Sequence, residues 1–159
     1  MFPVSASDNG CAGYEMLLWN RAPLWRTCYQ GLDADLFFFA EDIFGNQWAL
    51  DSTGICVFDA ETGDTTTIAA DLEEWSKQLL KGYKVMTGWP IAHMWQKAHG
   101  TLKPTERLNP KQLFVLGGSY TIDNLIVIDA IEGMKRRAGI ATQIHALKDG
   151  TYVKILNEL

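Results

Sequence analysis

Lysine and arginine are absent from the stretch that runs from Asp33 to Glu74, although eleven carboxylates fall in it. These are Asp33, Asp35, Glu41, Asp42, Asp51, Asp59, Glu61, Asp64, Asp71, Glu73 and Glu74. Such a stretch repels phosphate, which makes direct binding to nucleic acid or an anionic membrane unfavourable and suits a basic partner. The same spacing also fits turn and cap residues scattered over a solvated surface. Long apolar runs are missing too. The longest, Leu36 to Ala40, falls far short of the ~20 residues of a membrane helix. Cysteine is scarce. Cys11, Cys28 and Cys56 are odd in number and lack CxxC spacing, which argues against a disulfide framework or a zinc site and for reduced thiols in a cytoplasm. The N-terminal MFPVSASDNG has neither a basic start nor an apolar core, so no signal peptide is expected.

Recognisable catalytic chemistry is also lacking. Gly117-Gly118 has neither the third glycine of a dinucleotide fingerprint nor the lysine of a P-loop, and reads as a structural turn. Ser119 does not stand in a nucleophile elbow. Cys56 lies mid-strand, where thiols are inert. His93 and His99 are six residues apart and do not share a helix face as metal-binding histidines do; with His145 they suit polar or capping roles. Adjacent Glu41 and Asp42 point to opposite faces of a strand and do not form an acid–base pair. Asp59, Glu61 and Asp64 in FDAETGD could gather oxygens around a divalent cation, but they lack the glycine and distal glutamate of an EF-hand, and hairpin turns want the same residues. The expectation is a protein without catalytic residues or cofactor.

What is present suits one globular domain. The 159 residues are 47% apolar, with six tryptophans expected mostly in the core. Residues 1–9 are small and polar, and are expected to be poorly ordered. Tyr14 to Trp19 reads as a strand and Asn20 to Gly31 as irregular. Short strands at Leu36–Ala40, Gln47–Asp51, Ile55–Asp59 and Thr65–Ala69 alternate with turn residues, as in an antiparallel meander. The period then changes. Leu72, Trp75 and Leu79 mark a helix capped by Asp71 and Glu74 and ended by Gly82. Ile91, Met94, Trp95 and Ala98 mark a second, begun by Pro90 and ended by Gly100. Pro104 to Pro110 reads as a loop. Leu113–Leu116 and Asn124–Ile128 read as strands, Ile131 to Leu147 as a helix weakened by Gly133 and Gly139, and Tyr152–Leu156 as a last strand. Strands without regular βαβ alternation indicate an α+β fold.

The order of these motifs resembles the SUKH superfamily of yeast cell-wall-assembly regulators and bacterial toxin-immunity proteins. The residues that carry it are Asn9-Gly10, FFFAEDIFGNQWAL (37–50), FDAETGD (58–64), LEEW (72–75), TGWPIAHMWQKAHG (87–100), ERLNPKQLFVLGGSY (106–120), NLIVID (124–129) and IATQIHALKDG (140–150). The resemblance implies a mixed, mainly antiparallel sheet against helices, with no shared catalytic residues. It gives Trp75 and Trp95 the role of helix anchors, Pro90 that of a helix start and Gly117-Gly118 that of a tight turn. Members usually open with a helix ahead of the Asn-Gly, so here that helix is expected to be short or missing, and the oligomeric state is left open. What carries over is binding. The leading expectation is a cytoplasmic immunity protein that neutralises a basic toxin domain, such as a nuclease, through Glu41, Asp42, Asp59, Glu61 and Asp64. A regulatory scaffold for a cellular protein is the alternative, and a metal or small-ligand site at Asp59, Glu61 and Asp64 a further one.

Overall fold

The computed structural model describes residues 2–3, 15–148 and 150–153. The meander is present as read: β2 (Phe37–Glu41), β3 (Gln47–Leu50), β4 (Ile55–Phe58) and β5 (Thr65–Ala69) pair antiparallel in chain order. A two-residue β1 (Phe2–Pro3) adds to the free edge of β2, within the segment expected to be poorly ordered. Every pairing among the described residues is antiparallel, where the resemblance implied a mixed sheet.

Alternation decides what the sheet buries. Phe38, Ala49, Cys56 and Phe58 join Trp19, Trp25, Tyr29, Met134, Ala138 and Ala141 in one cluster, which places α4 (Ala130–Ile144) on that face. Trp48, Ile55, Val57 and Leu50 meet Trp75, Leu79 and Met86 of α2 (Leu72–Met86) on the other. A bulge at Phe39 lets both Phe39 and Ala40 join the α2 side. Coverage of both faces explains the short, unbroken apolar run around Phe38. A third cluster holds Ile43 and Phe44 against α3 (Trp89–His99) and a two-stranded sheet of β6 (Glu106–Pro110) and β7 (Leu125–Asp129). Helices and separate antiparallel sheets make the fold α+β.

The cap of α2 forms as expected. Asp71 accepts the Glu74 amide at 2.8 Å, and Glu74 reaches back to the Ala70 amide at 2.9 Å. Trp75 anchors the helix edge-on to Phe39 and Trp48, at 5.1 and 5.6 Å between ring centres. The helix does not stop at Gly82 but passes through it with non-helical backbone and runs on to Met86. Pro90 is the second residue of α3, and half-buried Trp95 stacks on His99 at 4.4 Å. Gly117, in left-handed conformation, ends a 3-10 turn, and a Cβ on Gly118 would stand 1.9 Å from the Gln112 carbonyl oxygen.

Four expectations are corrected. Met16–Trp19 is a single helical turn, α1, not a strand: the Trp19 amide donates to the Glu15 carbonyl at 2.8 Å, and Leu17 and Leu18 stay exposed, where an unbroken apolar strand would be covered on both faces. Residues 106–110 are strand β6, not loop; Arg107 and Asn109 are both buried, so the strand hides a polar face and reads as solvated. Phe114–Leu116 is the 3-10 turn, not a strand. Tyr152 and Val153 lack regular structure, and residues 154–156 lie outside the described residues. Gly133, read as weakening α4, is needed there: its Cβ would lie 2.6 Å from the side-chain amide nitrogen of Asn109. Among the described residues no helix is long and apolar enough to cross a membrane.

Candidate protein-binding site

The five carboxylates expected on a binding surface separate into two groups. Glu41 is only 2% exposed. It pairs with buried Arg107 at 2.5 Å and accepts a hydrogen bond from Gln47 Nε2 at 3.0 Å. Asp42 is also internal. Its Oδ1 accepts the Phe44 and Asn46 amides at 2.8 and 2.9 Å, and its Oδ2 accepts Asn46 Nδ2 at 2.9 Å, which closes the β2–β3 turn. The expectation that these two face a partner is corrected: both are spent on holding the fold. Asp33 likewise turns inward to Arg26, at 2.5 Å. The cation-free stretch is therefore not one acidic patch, because part of it neutralises buried Arg107 and half-buried Arg26 from outside the stretch.

Burial raises the Asp42 carboxyl from its ordinary 3.8 to about 6, against the opposing pull of its bonds to Asn46 and Phe44 and the charge of Arg137. A folded value above the unfolded one means that folding favours the protonated acid. The associated stability is full below the unfolded value and is lost as pH rises through about 6. At about 1.4 kcal/mol per pH unit, that gap corresponds to about 3 kcal/mol. Asp42→Asn keeps an acceptor for the two amides and removes the titration. Urea unfolding from pH 4 to 7 is expected to show the variant gaining about that much relative to the parent. A difference independent of pH would contradict this account.

Asp59, Glu61 and Asp64 stay together on the β4–β5 hairpin, but their carboxylates diverge. Asp59 Oδ1 accepts the Glu61 and Thr62 amides at 2.7 and 3.1 Å, an Asx turn that sets the loop. Exposed Asp64 lies 3.1 Å from His145 Nδ1 at the end of α4, and the same nitrogen is 3.1 Å from the Thr62 carbonyl oxygen. Glu61 is 4% exposed, which corrects its expected place on the exterior. It turns inward, and its Oε2 accepts the Val115 amide at 2.9 Å across 54 residues of chain. Among the described residues no three His, Cys, Asp or Glu side chains gather as a metal site.

That hydrogen bond holds the 3-10 turn against the hairpin, and a cavity of about 300 Å³ lies between them. Its walls include Asp59, Glu61, Phe44, Phe114, Tyr120 and Arg137. Phe114 and Tyr120 stack at 3.8 Å with planes 9° apart, and Phe44 meets both rings edge-on. Arg137 is fully buried and spends its donors on the Phe44 and Gly133 carbonyls and on Met134 sulfur. Burial pushes the Glu61 carboxyl up, while the Val115 amide and Arg137 pull it down. The Tyr120 phenol is raised first by burial, then by Glu61, Asp59 and Asp42. A second, smaller hollow shares Thr62 and Val115 with this one and is bordered by Asp64, Leu116, His145 and Leu147. The hairpin, the 3-10 turn and the end of α4 thus form one concave face, with exposed Val115, Leu116, Tyr120 and Leu147 around it. Of this face, the sequence points to the hairpin acids and to His145 as a polar or capping residue; nothing in it marks Phe44, Phe114, Tyr120 or Arg137.

No protein-family model matches the chain, and no curated protein matches it. Among solved structures it is similar to the crystal structure of Atu4351 from Agrobacterium tumefaciens, with 14% sequence identity and a TM-score of 0.49. The similarity covers 72% of this chain and 62% of that one, so the chain spans less than two thirds of that protein's length.

Proposed function

We propose that this chain is a non-catalytic protein-binding domain of the SUKH type, a cytoplasmic immunity protein that neutralises a secreted toxin by covering its active site. The observation that carries the reading is the concave face at the β4–β5 hairpin. It combines exposed apolar residues at its rim with carboxylates at its floor, so a partner would bury apolar surface around a centre of complementary charge. One oxygen of Asp59 and one of Glu61 accept backbone amides, a holding role that suits recognition better than proton transfer. The motif order that resembles the SUKH proteins supports the same assignment. A toxin that grips phosphate must present lysine or arginine, and an acidic face meets it with complementary charge.

The test uses the product of the gene adjacent to this one, purified and titrated onto the full chain. Complex formation is expected with an association rate that falls several-fold between about 50 and 500 mM salt. Asp64→Lys, at an exposed rim position, is expected to slow association while leaving the melting temperature unchanged. Protection of cells that express the neighbouring product should weaken in parallel. Association indifferent to both salt and Asp64→Lys would remove this face from the interface. Capture of a cell-envelope protein in place of a toxin would favour the scaffold reading.

A further inference from the structure

Glu61 carries an unexplained feature. Its Oε2 is satisfied by Val115, but its buried Oε1 has no hydrogen-bond partner among the described residues. A carboxylate oxygen removed from water without a donor is costly, and native structures rarely leave one so unless something else supplies the donor. The residue lines the cavity of about 300 Å³, at the low end of the range for ligand sites and more suited to a single inserted side chain than to a large molecule.

The sign of the cavity follows from its walls. Asp59 and Glu61 supply two carboxylates, and Arg137 supplies one guanidinium whose donors already face Phe44, Gly133 and Met134. The aromatic wall adds a second preference. Phe114 covers one face of the Tyr120 ring, yet Tyr120 remains 58% exposed, so the ring still offers surface at the mouth. Aromatic faces attract cations, guanidinium most readily because it also stacks as a plane. The last torsion of a glutamate is soft, so the carboxylate can turn its Oε1 toward an entering donor while keeping the Val115 amide.

We propose that this cavity receives a cationic side chain of the partner protein, an arginine in preference to a lysine, with its guanidinium donating to Glu61 Oε1 and lying against Tyr120. This rests on the protein-binding reading above and names the anchor that such a partner would present. Arginine is among the residues that carry most binding energy at protein interfaces, above all when its head is drawn into a desolvated pocket.

The first probe is N-acetyl-arginine-methylamide, titrated onto the full chain and followed by NMR shifts of Glu61, Val115 and Tyr120. Saturable binding is expected. The citrulline counterpart, equal in shape but uncharged, should bind at least about tenfold more weakly, since hydrogen bonds between charged groups are the stronger ones. The lysine counterpart should fall between them. Glu61→Gln keeps an acceptor for Val115 and should weaken the arginine probe about tenfold. Tyr120→Leu, at an exposed ring, should weaken it several-fold. No saturation by the arginine probe, or equal binding of citrulline, would overturn the proposal while leaving protein binding by this face untouched. The second arm uses the partner protein. Glu61→Gln should speed its dissociation about tenfold, as loss of a buried charge-paired contact does. Unchanged dissociation would mean that the cavity serves a free small cation and not a partner's side chain, which also overturns the proposal.

Discussion

Replacing Glu41 with alanine is expected to remove about 3–5 kcal/mol of stability, the usual cost of breaking a buried ion pair from one side. The partner is Arg107 on β6, itself 3% exposed and 2.5 Å from Glu41 Oε1. The loss spreads beyond the pair. Glu41 Oε2 accepts from Gln47 Nε2, and Gln47 Oε1 accepts from Trp19 Nε1 at 2.9 Å, so one carboxylate organises side chains from β2, β3, α1 and β6. A double variant, Glu41→Met with Arg107→Leu, removes both charges and is expected to recover most of the loss, because isosteric apolar pairs often match or exceed a buried ion pair. Denaturant unfolding of the three variants measures this directly. A double variant no more stable than Glu41→Ala alone would show that the cost lies in packing and not in the broken ion pair.

Trp25→Ala carries the other large expected effect, about 3–5 kcal/mol, because it empties the centre of the principal aromatic cluster. Trp25 is fully buried, with ring centres 5.2 Å from Phe38, 5.4 Å from Trp19 and 5.6 Å from Tyr29. It comes from a segment without sheet or long helix, so this side chain does much to attach residues 20–31 to the sheet. Its Nε1 has no hydrogen-bond acceptor among the described residues. Trp25→Phe therefore gives up part of the ring but also relieves an unsatisfied donor, and its cost should stay below about 2 kcal/mol. Thermal and urea unfolding distinguish the two. Equal losses would mean that the volume argument is wrong and that the indole nitrogen is satisfied in solution.

The parts of the fold that were legible are those in which local chemistry and tertiary burial agree. The β2–β5 meander is marked by its turns, since Gly45-Asn46, Ser52-Thr53-Gly54 and Glu61-Thr62-Gly63 punctuate it where the backbone needs them. Helices α2 and α3 are marked by Asp71, Glu74 and Pro90. Strand β6 was missed because what it buries is polar: Arg107 is neutralised by Glu41 from 66 residues away, and no local pattern encodes that pairing. Gly133 misled for a similar reason, since its meaning lies in Asn109 on a neighbouring strand. The acidic residues look exterior because carboxylates usually are. Glu41, Asp42 and Glu61 depart from that habit, each through partners that are distant or formed only by a tight turn. The concave face is half visible in the sequence. The FDAETGD turn stood out, but Tyr120 and Phe114 follow no periodicity, and Arg137 reads as one more helix-surface cation.

Gly82 also shapes how α2 fails. Helix propagation is cooperative along a regular backbone, and Gly82 departs from that geometry after ten residues. The leading portion is pinned by Trp75 against the sheet, whereas Tyr83 and Val85 beyond Gly82 lie exposed. The short portion past Gly82 is nonetheless moored, by Met86 packed against the sheet and by buried Thr87, whose carbonyl accepts the Ile43 amide at 3.1 Å. The glycine acts as a hinge between two separately moored portions of the helix, so that loosening at one mooring need not unseat the other.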